Sequence, residues 1–186
     1  MSQKRAKAEL YTQYPLSSLL IYNGATILHF LLGGIGIILG YSFSSWAGYA
    51  FGALYLTFSF AEMYVMMPLT VCPHCVYYRM ENSLCISGLN VISKRVAKKG
   101  EPKDFPKRAE GLFCNNNLYM AALIVPITAM IPALILNFSF LLLAIFLAVV
   151  GLLLFRFFVI FGKIACVHCY AKYKCPQAEA MGVRNM

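Results

Sequence analysis

Apolar positions run almost unbroken through four stretches of the chain, and polar positions gather between and beyond them. The stretches lie at roughly Ser17–Tyr41, Trp46–Pro68, Leu118–Leu136 and Phe138–Phe161. A helix needs about 20 apolar residues to cross a bilayer, so the pattern predicts four transmembrane helices. The links from first to second and from third to fourth are only a few residues long, which makes each pair an expected antiparallel hairpin. The expected fold is thus an all-α membrane protein, one integral membrane domain over residues 1–186. The first apolar stretch is too long for a signal-peptide core and no A-x-A-like site follows it, so it is expected to remain as a membrane helix.

The pattern changes in the segment of about residues 72–117. Cys85, Leu89, Ile92 and Val96 are spaced four, three and four, the stripe of one helix face, while Asn82, Asn90, Lys94, Arg95 and Lys98 take the other. Residues 80–98 therefore predict an amphipathic helix lying in the membrane interface. Gly100 ends it, Pro102 and Pro106 keep the next stretch irregular, and Asn115, Asn116 and Asn117 offer capping side chains before the third apolar stretch. Gly36-x-x-x-Gly40 and Gly48-x-x-x-Gly52 predict close approach of the first two helices, and Ala121, Ala122, Ala129 and Ala133 give the third a small-residue face.

Composition agrees: 60% of the 186 residues are hydrophobic and 12% charged, against about half and about a quarter in soluble domains. The net charge of +9 would suggest a nucleic-acid partner were it not so unevenly placed. Lys4, Arg5 and Lys7 precede the first helix. Arg79, Lys94, Arg95, Lys98, Lys99, Lys103, Lys107 and Arg108 lie between the second and third. Lys163, Lys172, Lys174 and Arg184 close the chain, and the two short links carry no basic residue. Basic residues on one side only are the positive-inside pattern. The N- and C-termini, the long loop and the tail of about residues 163–186 are expected in the cytoplasm, and the charge needs no nucleic acid. The bilayer, with its anionic head groups, is the expected partner.

That orientation puts all seven cysteines on the reducing side, where disulfides are rare and cysteine clusters are more often metal-binding or catalytic. Cys72-Pro73-His74-Cys75 and Cys166-Val167-His168-Cys169 end the second and fourth apolar stretches, 166 − 72 = 94 residues apart. Both helices run toward the cytoplasm, so both motifs emerge at one depth. Cys72, Cys75, Cys166 and Cys169 then form a candidate four-sulfur site for zinc or an iron–sulfur cluster, with Cys175 next. A second partition gives two sites: Cys72, Cys75, Cys85 and Cys114 in the loop, and Cys166, Cys169, Cys175 and His168 in the tail.

At the same offset of 94, Glu62 and Arg156 stand ten residues before Cys72 and Cys166. Charges inside a membrane face the bundle interior or water. Glu62, Arg156 and His29 are expected at one depth, about 15 Å of helix beyond the cysteines, with Glu62 and Arg156 paired. The layer is a candidate quinone site or proton relay, or alternatively an ion pair that docks the hairpins.

The tetrapeptide Cys72-Pro73-His74-Cys75 is similar to the active-site motif of oxidising thioredoxin-fold proteins. Cys72-x-x-Cys75-x-Tyr77-x-Arg79 also resembles the motif of the quinone-coupled membrane proteins that generate disulfides. The second resemblance spans eight residues and implies a four-helix membrane protein with membrane quinone as electron acceptor. Two features depart from that pattern: the motif follows the second helix here, not the first, and charge places it on the cytoplasmic side.

Three functions remain open. The first is a membrane protein with a cytoplasmic-face cysteine metal centre, acting in electron transfer with other membrane or cytoplasmic redox subunits, or as an accessory subunit whose metal is structural. The second is a membrane thiol–disulfide oxidoreductase with Cys72 as nucleophile, Cys75 as resolving thiol and His74 lowering the thiolate pKa. The third is a soft-metal transporter or sensor, although within the helices only methionines such as Met63 and Met130 offer soft donors.

Overall fold

Glu62 and Arg156, the two membrane charges of the sequence, each mark the residue at which an α-helix rewinds into a π-helix. This computed structural model describes residues 9–42 and 46–184, so Lys4, Arg5 and Lys7 lie outside the described residues. Helix α1 is Leu16–Tyr41. Helix α2, Ala47–Ala61, continues as a π segment over Glu62–Val71 and ends in the tight turn Cys72–His74. Two short helices follow, α3 (Val76–Arg79) and α4 (Leu89–Val96), then a 3-10 stretch at Pro102–Ala109. Helix α5 is Asn115–Leu136. Helix α6, Phe140–Phe155, continues as a second π segment over Arg156–Ala165, and α7 is Pro176–Ala180.

Four helices are long and apolar enough to cross a membrane: Leu16–Tyr41, Ala47–His74, Asn115–Leu136 and Phe140–Ala165. The second and fourth run past their expected ends because the π segments carry the winding on to the cysteine motifs. A π-helix closes each bond five residues back rather than four, is rare, and concentrates at functional sites. The Cys72 N–H bonds the Met67 carbonyl and the Cys166 N–H bonds the Phe161 carbonyl, both five back. The 94-residue offset is thus repeated in backbone conformation.

Helix α1 packs against α2, α5 and α6. Small residues make these approaches possible, but not all where the sequence suggested. A side chain on Gly52 would strike Ile38 of α1, as expected. Gly36 and Gly40, however, face Met130 and Ala133 of α5, and Gly34 meets Leu56 in their place. Pro126 inside α5 has no N–H to give to the carbonyl four residues back, and the Tyr55 hydroxyl of α2 bonds that Ala122 carbonyl at 2.9 Å.

The loop corrects the expected amphipathic helix. Residues 80–88 form turns, with Asn82 and Gly88 at φ of 50° and 73°, and helix begins only at Leu89. The buried face is Leu89, Asn90 and Ser93, while Ile92 and Val96 are 46% and 59% exposed. Asn90 turns inward because its amide spans the turn, accepting from the Cys85 N–H and donating to the Ser83 carbonyl at 2.9 Å. The asparagine caps are corrected too. Cys114 is the N-cap of α5, its sulfur accepting from the Asn117 N–H, and Asn115 and Asn117 point their amides elsewhere.

Candidate functional site

Each cysteine motif repeats one local design. Its first cysteine is helical, its last is extended, and the N–H of the last bonds the carbonyl of the first, at 3.0 Å for Cys75–Cys72 and 3.3 Å for Cys169–Cys166. Each motif histidine is held alike. His74 Nδ1 meets the Glu101 carbonyl at 3.0 Å and His168 Nδ1 meets the Glu9 carbonyl at 2.7 Å. A carbonyl only accepts, so both histidines donate from Nδ1. The His168 ring also stacks on Tyr11.

The two motifs close around one mostly apolar cavity of about 170 Å³, lined by Cys72, Cys75, Cys85, Cys166, Cys169 and Cys175. The structure thus joins the candidate ligands of both motifs and draws in Cys85. It does not divide them into a loop site and a tail site: Cys114 lies away from the cavity as a helix cap. The cysteines stand at two levels. Cys72 and Cys166 pack on the core that holds Tyr22, Tyr119 and Phe161, whereas Cys75, Cys169 and Cys175 pack around Val71, Phe105 and Ala171. Among the described residues no disulfide joins them, and no three Cys, His, Asp or Glu side chains converge tightly enough to share one metal ion.

Tyrosine hydroxyls brace the backbone around the cavity, and Tyr77 is one of its lining residues. Tyr14 donates to the Ala165 carbonyl at 2.5 Å, Tyr77 donates to the Tyr11 carbonyl at 2.6 Å, and Tyr77 accepts from the Tyr170 N–H. Burial, and then the neighbouring Cys75, push the Cys169 thiol well above its ordinary range. Burial, and then the proximity of Cys169, act likewise on Tyr14 and Tyr77. Lys172, 1% exposed, ties the second motif by donating to the Val167 carbonyl at 2.9 Å.

The expected Glu62–Arg156 pair does not form: the salt bridges among the described residues leave both out. Arg156, 1% exposed, lies 5.1 Å from the Tyr22 ring centre, 5.3 Å from Tyr119 and 5.5 Å from Phe161, and donates to the Thr26 hydroxyl at 2.7 Å. Aromatic faces attract a desolvated cation by about 2 kcal/mol or more, which answers its burial without a carboxylate. Glu62 turns instead toward Asn115 of α5.

His29 stays with Arg156, one helical turn beyond Thr26. His29 Nε2 lies 3.0 Å from the Leu123 carbonyl; it therefore donates, and a neutral ring leaves Nδ1 as an acceptor. That Nδ1, the Arg156 Nε and the Tyr119 hydroxyl are buried without a hydrogen-bond partner. Such orphans are uncommon in native proteins. Tyr119 faces Arg156 and Tyr22 but meets neither in bonding geometry. Tyr22, Tyr119 and Phe161 also line the cysteine cavity, so the aromatic cage is a wall shared between cation and thiols. Thr26 and Tyr119 were not legible as site residues, since both read as ordinary span residues; Cys85 was legible only as a ligand of a separate loop site or as part of a helical stripe.

Comparison with known protein families, curated proteins and solved structures finds no match for this chain.

Proposed function

We propose that the chain is an integral membrane electron-transfer protein whose cysteine cavity holds an iron–sulfur cluster at the cytoplasmic face. The observation that carries the reading is the cavity with six cysteines around it. Zinc–sulfur bonds are about 2.3 Å, so a mononuclear zinc site draws its sulfurs onto one point. Thiolates that surround a space without converging suit a polynuclear cluster, whose ligands attach at separate iron corners. Cys72, Cys75, Cys166 and Cys169 are the proposed ligands, with Cys175 and Cys85 in reserve. The cluster would supply one-electron transfer. The two hairpins are proposed to be antiparallel, with both termini and the motif end cytoplasmic, on the strength of the basic residues at that end.

The acceptor in this reading is a membrane quinone at the Arg156 side of the shared wall. A quinone carbonyl accepts hydrogen bonds and a quinol hydroxyl donates one. The orphaned Arg156 Nε and Tyr119 hydroxyl can donate to the first, and His29 Nδ1 can accept from the second. Two electrons, passed singly and replaced by a partner redox protein, and two protons convert quinone to quinol.

A thiol–disulfide oxidoreductase is the second reading. In its favour, the tight turn from Cys72 to Cys75 keeps the two residues adjacent. The upward push on Cys169, the reverse of what activates a thiolate, speaks only against a nucleophile at the end of the second motif.

The test is iron, zinc and sulfide analysis, with absorption and electron paramagnetic resonance spectra, on anaerobically purified protein. Iron with sulfide and a signal on reduction supports the cluster. Zinc alone moves the reading to a structural site, and protein without metal leaves thiol exchange.

A further inference from the structure

Glu62 is 3% exposed in the middle of an apolar span and forms no salt bridge among the described residues. A carboxylate there is costly, and Arg156 does not offset it. The Asn115 amide nitrogen lies 3.4 Å from the Glu62 carboxylate and 3.0 Å from the Thr70 hydroxyl oxygen. Thr70 gives its own proton to the Met66 carbonyl at 2.7 Å, so both atoms facing Asn115 accept and the amide donates. A metal cation beside Glu62 would want oxygen there, not a donor.

Thr70 and Asn115 are also walls of a second cavity, about 300 Å³, whose other lining residues include His74, Asp104 and Lys107. It is polar and roomy enough for water, and lies on the motif side of Glu62. We infer that Glu62 is a proton-exchanging carboxyl, reached from the aqueous face through this vestibule by way of Thr70 and Asn115. A hydronium ion gives a proton to the carboxylate and leaves water; the carboxyl returns the proton to water by the reverse step. The ligand of the site is the hydrated proton, and nothing in the argument depends on what the cysteine cavity holds.

The titratable groups around Glu62 are few. His74 is bonded to the Glu101 carbonyl, and Asp104 and Lys107 pair with each other at 2.6 Å at the vestibule. On the same segment Tyr64 stands two residues on and Cys72 ten residues on, Cys114 precedes Asn115, and Tyr119 lies on α5. Lys94 and Arg95 of α4 are exposed, Lys94 donating to the Met80 carbonyl.

The test is carboxyl labelling of the full chain in lipid nanodiscs, with a water-soluble carbodiimide and glycine amide, read by mass spectrometry. Glu62 should be modified despite its place in the span. Thr70→Phe, which fills the vestibule, should cut that modification at least tenfold while exposed Glu81 and Glu110 label as before. A second measurement is the infrared carboxyl band that Glu62→Gln removes, which should shift within seconds of transfer to D2O. Wild-type Glu62 that stays unlabelled, labelling indifferent to Thr70→Phe, or a band that does not shift would each overturn the inference.

Discussion

The Tyr55 hydroxyl bonds the Ala122 carbonyl at 2.9 Å, taking the acceptor that Pro126 leaves open. Tyr55→Phe should therefore strand a buried carbonyl and cost about 1–3 kcal/mol. Adding Pro126→Ala restores the missing N–H, so the double variant should recover most of the loss. Unfolding in mixed detergent micelles across the four-member cycle measures it, and additive effects would contradict the shared acceptor.

Arg156 gives a prediction in which stability and binding part company. Arg156→Met has similar volume and removes a buried charge held only by rings and a hydroxyl. Such replacements are often neutral or stabilising, so the melting temperature should hold or rise. Binding of a short-chain quinone, titrated by tryptophan fluorescence or calorimetry, should weaken at least tenfold. A melting temperature that falls together with binding would assign Arg156 a mainly structural task.

Serine scanning separates the thiols. Cys72→Ser and Cys166→Ser should abolish or sharply reduce iron and sulfide content, whereas Cys114→Ser, altering only a helix cap, should leave it unchanged. Serine is a preferred N-cap whose hydroxyl can accept from the Asn117 N–H as the sulfur does, so the Cys114 variant should keep its stability with full metal.

Metal-free protein should lose stability in alkali. Burial, then Cys75, hold the Cys169 pKa above its unfolded value. The folded state therefore keeps a proton that the unfolded state gives up. This contribution is intact below the ordinary thiol pKa of about 8.5 and declines as pH rises past it. Tyr14 and Tyr77, raised mainly by burial, add a fall of the same sign above about pH 10. Melting temperatures across that range check this, and a flat profile would contradict it.

Much of this molecule was legible in its sequence because two of its strongest signals are long apolar runs and a repeated motif. The four runs gave spans within a few residues, and the 94-residue offset anticipated that Cys72 and Cys166 meet one cavity. What misled was the assumption of α-helical geometry and nearest-charge pairing. Ten residues of π-helix rise less than ten of α-helix, so Glu62 and Arg156 were not where 15 Å of helix would put them. A ring of tyrosine and phenylalanine from three segments supplied what a carboxylate was expected to give. Asn90 misled for a local reason, since a polar residue on a helix faces inward when a preceding turn needs its amide.

The two π segments also set an angle. Each residue of an α-helix turns the chain by about 100°, and the wider winding turns it less; over ten residues the lag reaches about half a revolution. Wound as ordinary α-helix, Glu62–Val71 and Arg156–Ala165 would deliver Cys72 and Cys166 to the far sides of their helices, toward lipid. The aim of the thiols is thus stored in the pitch of the chain above them, and a single-residue deletion in either segment would turn one motif away from the other while leaving every cysteine in place.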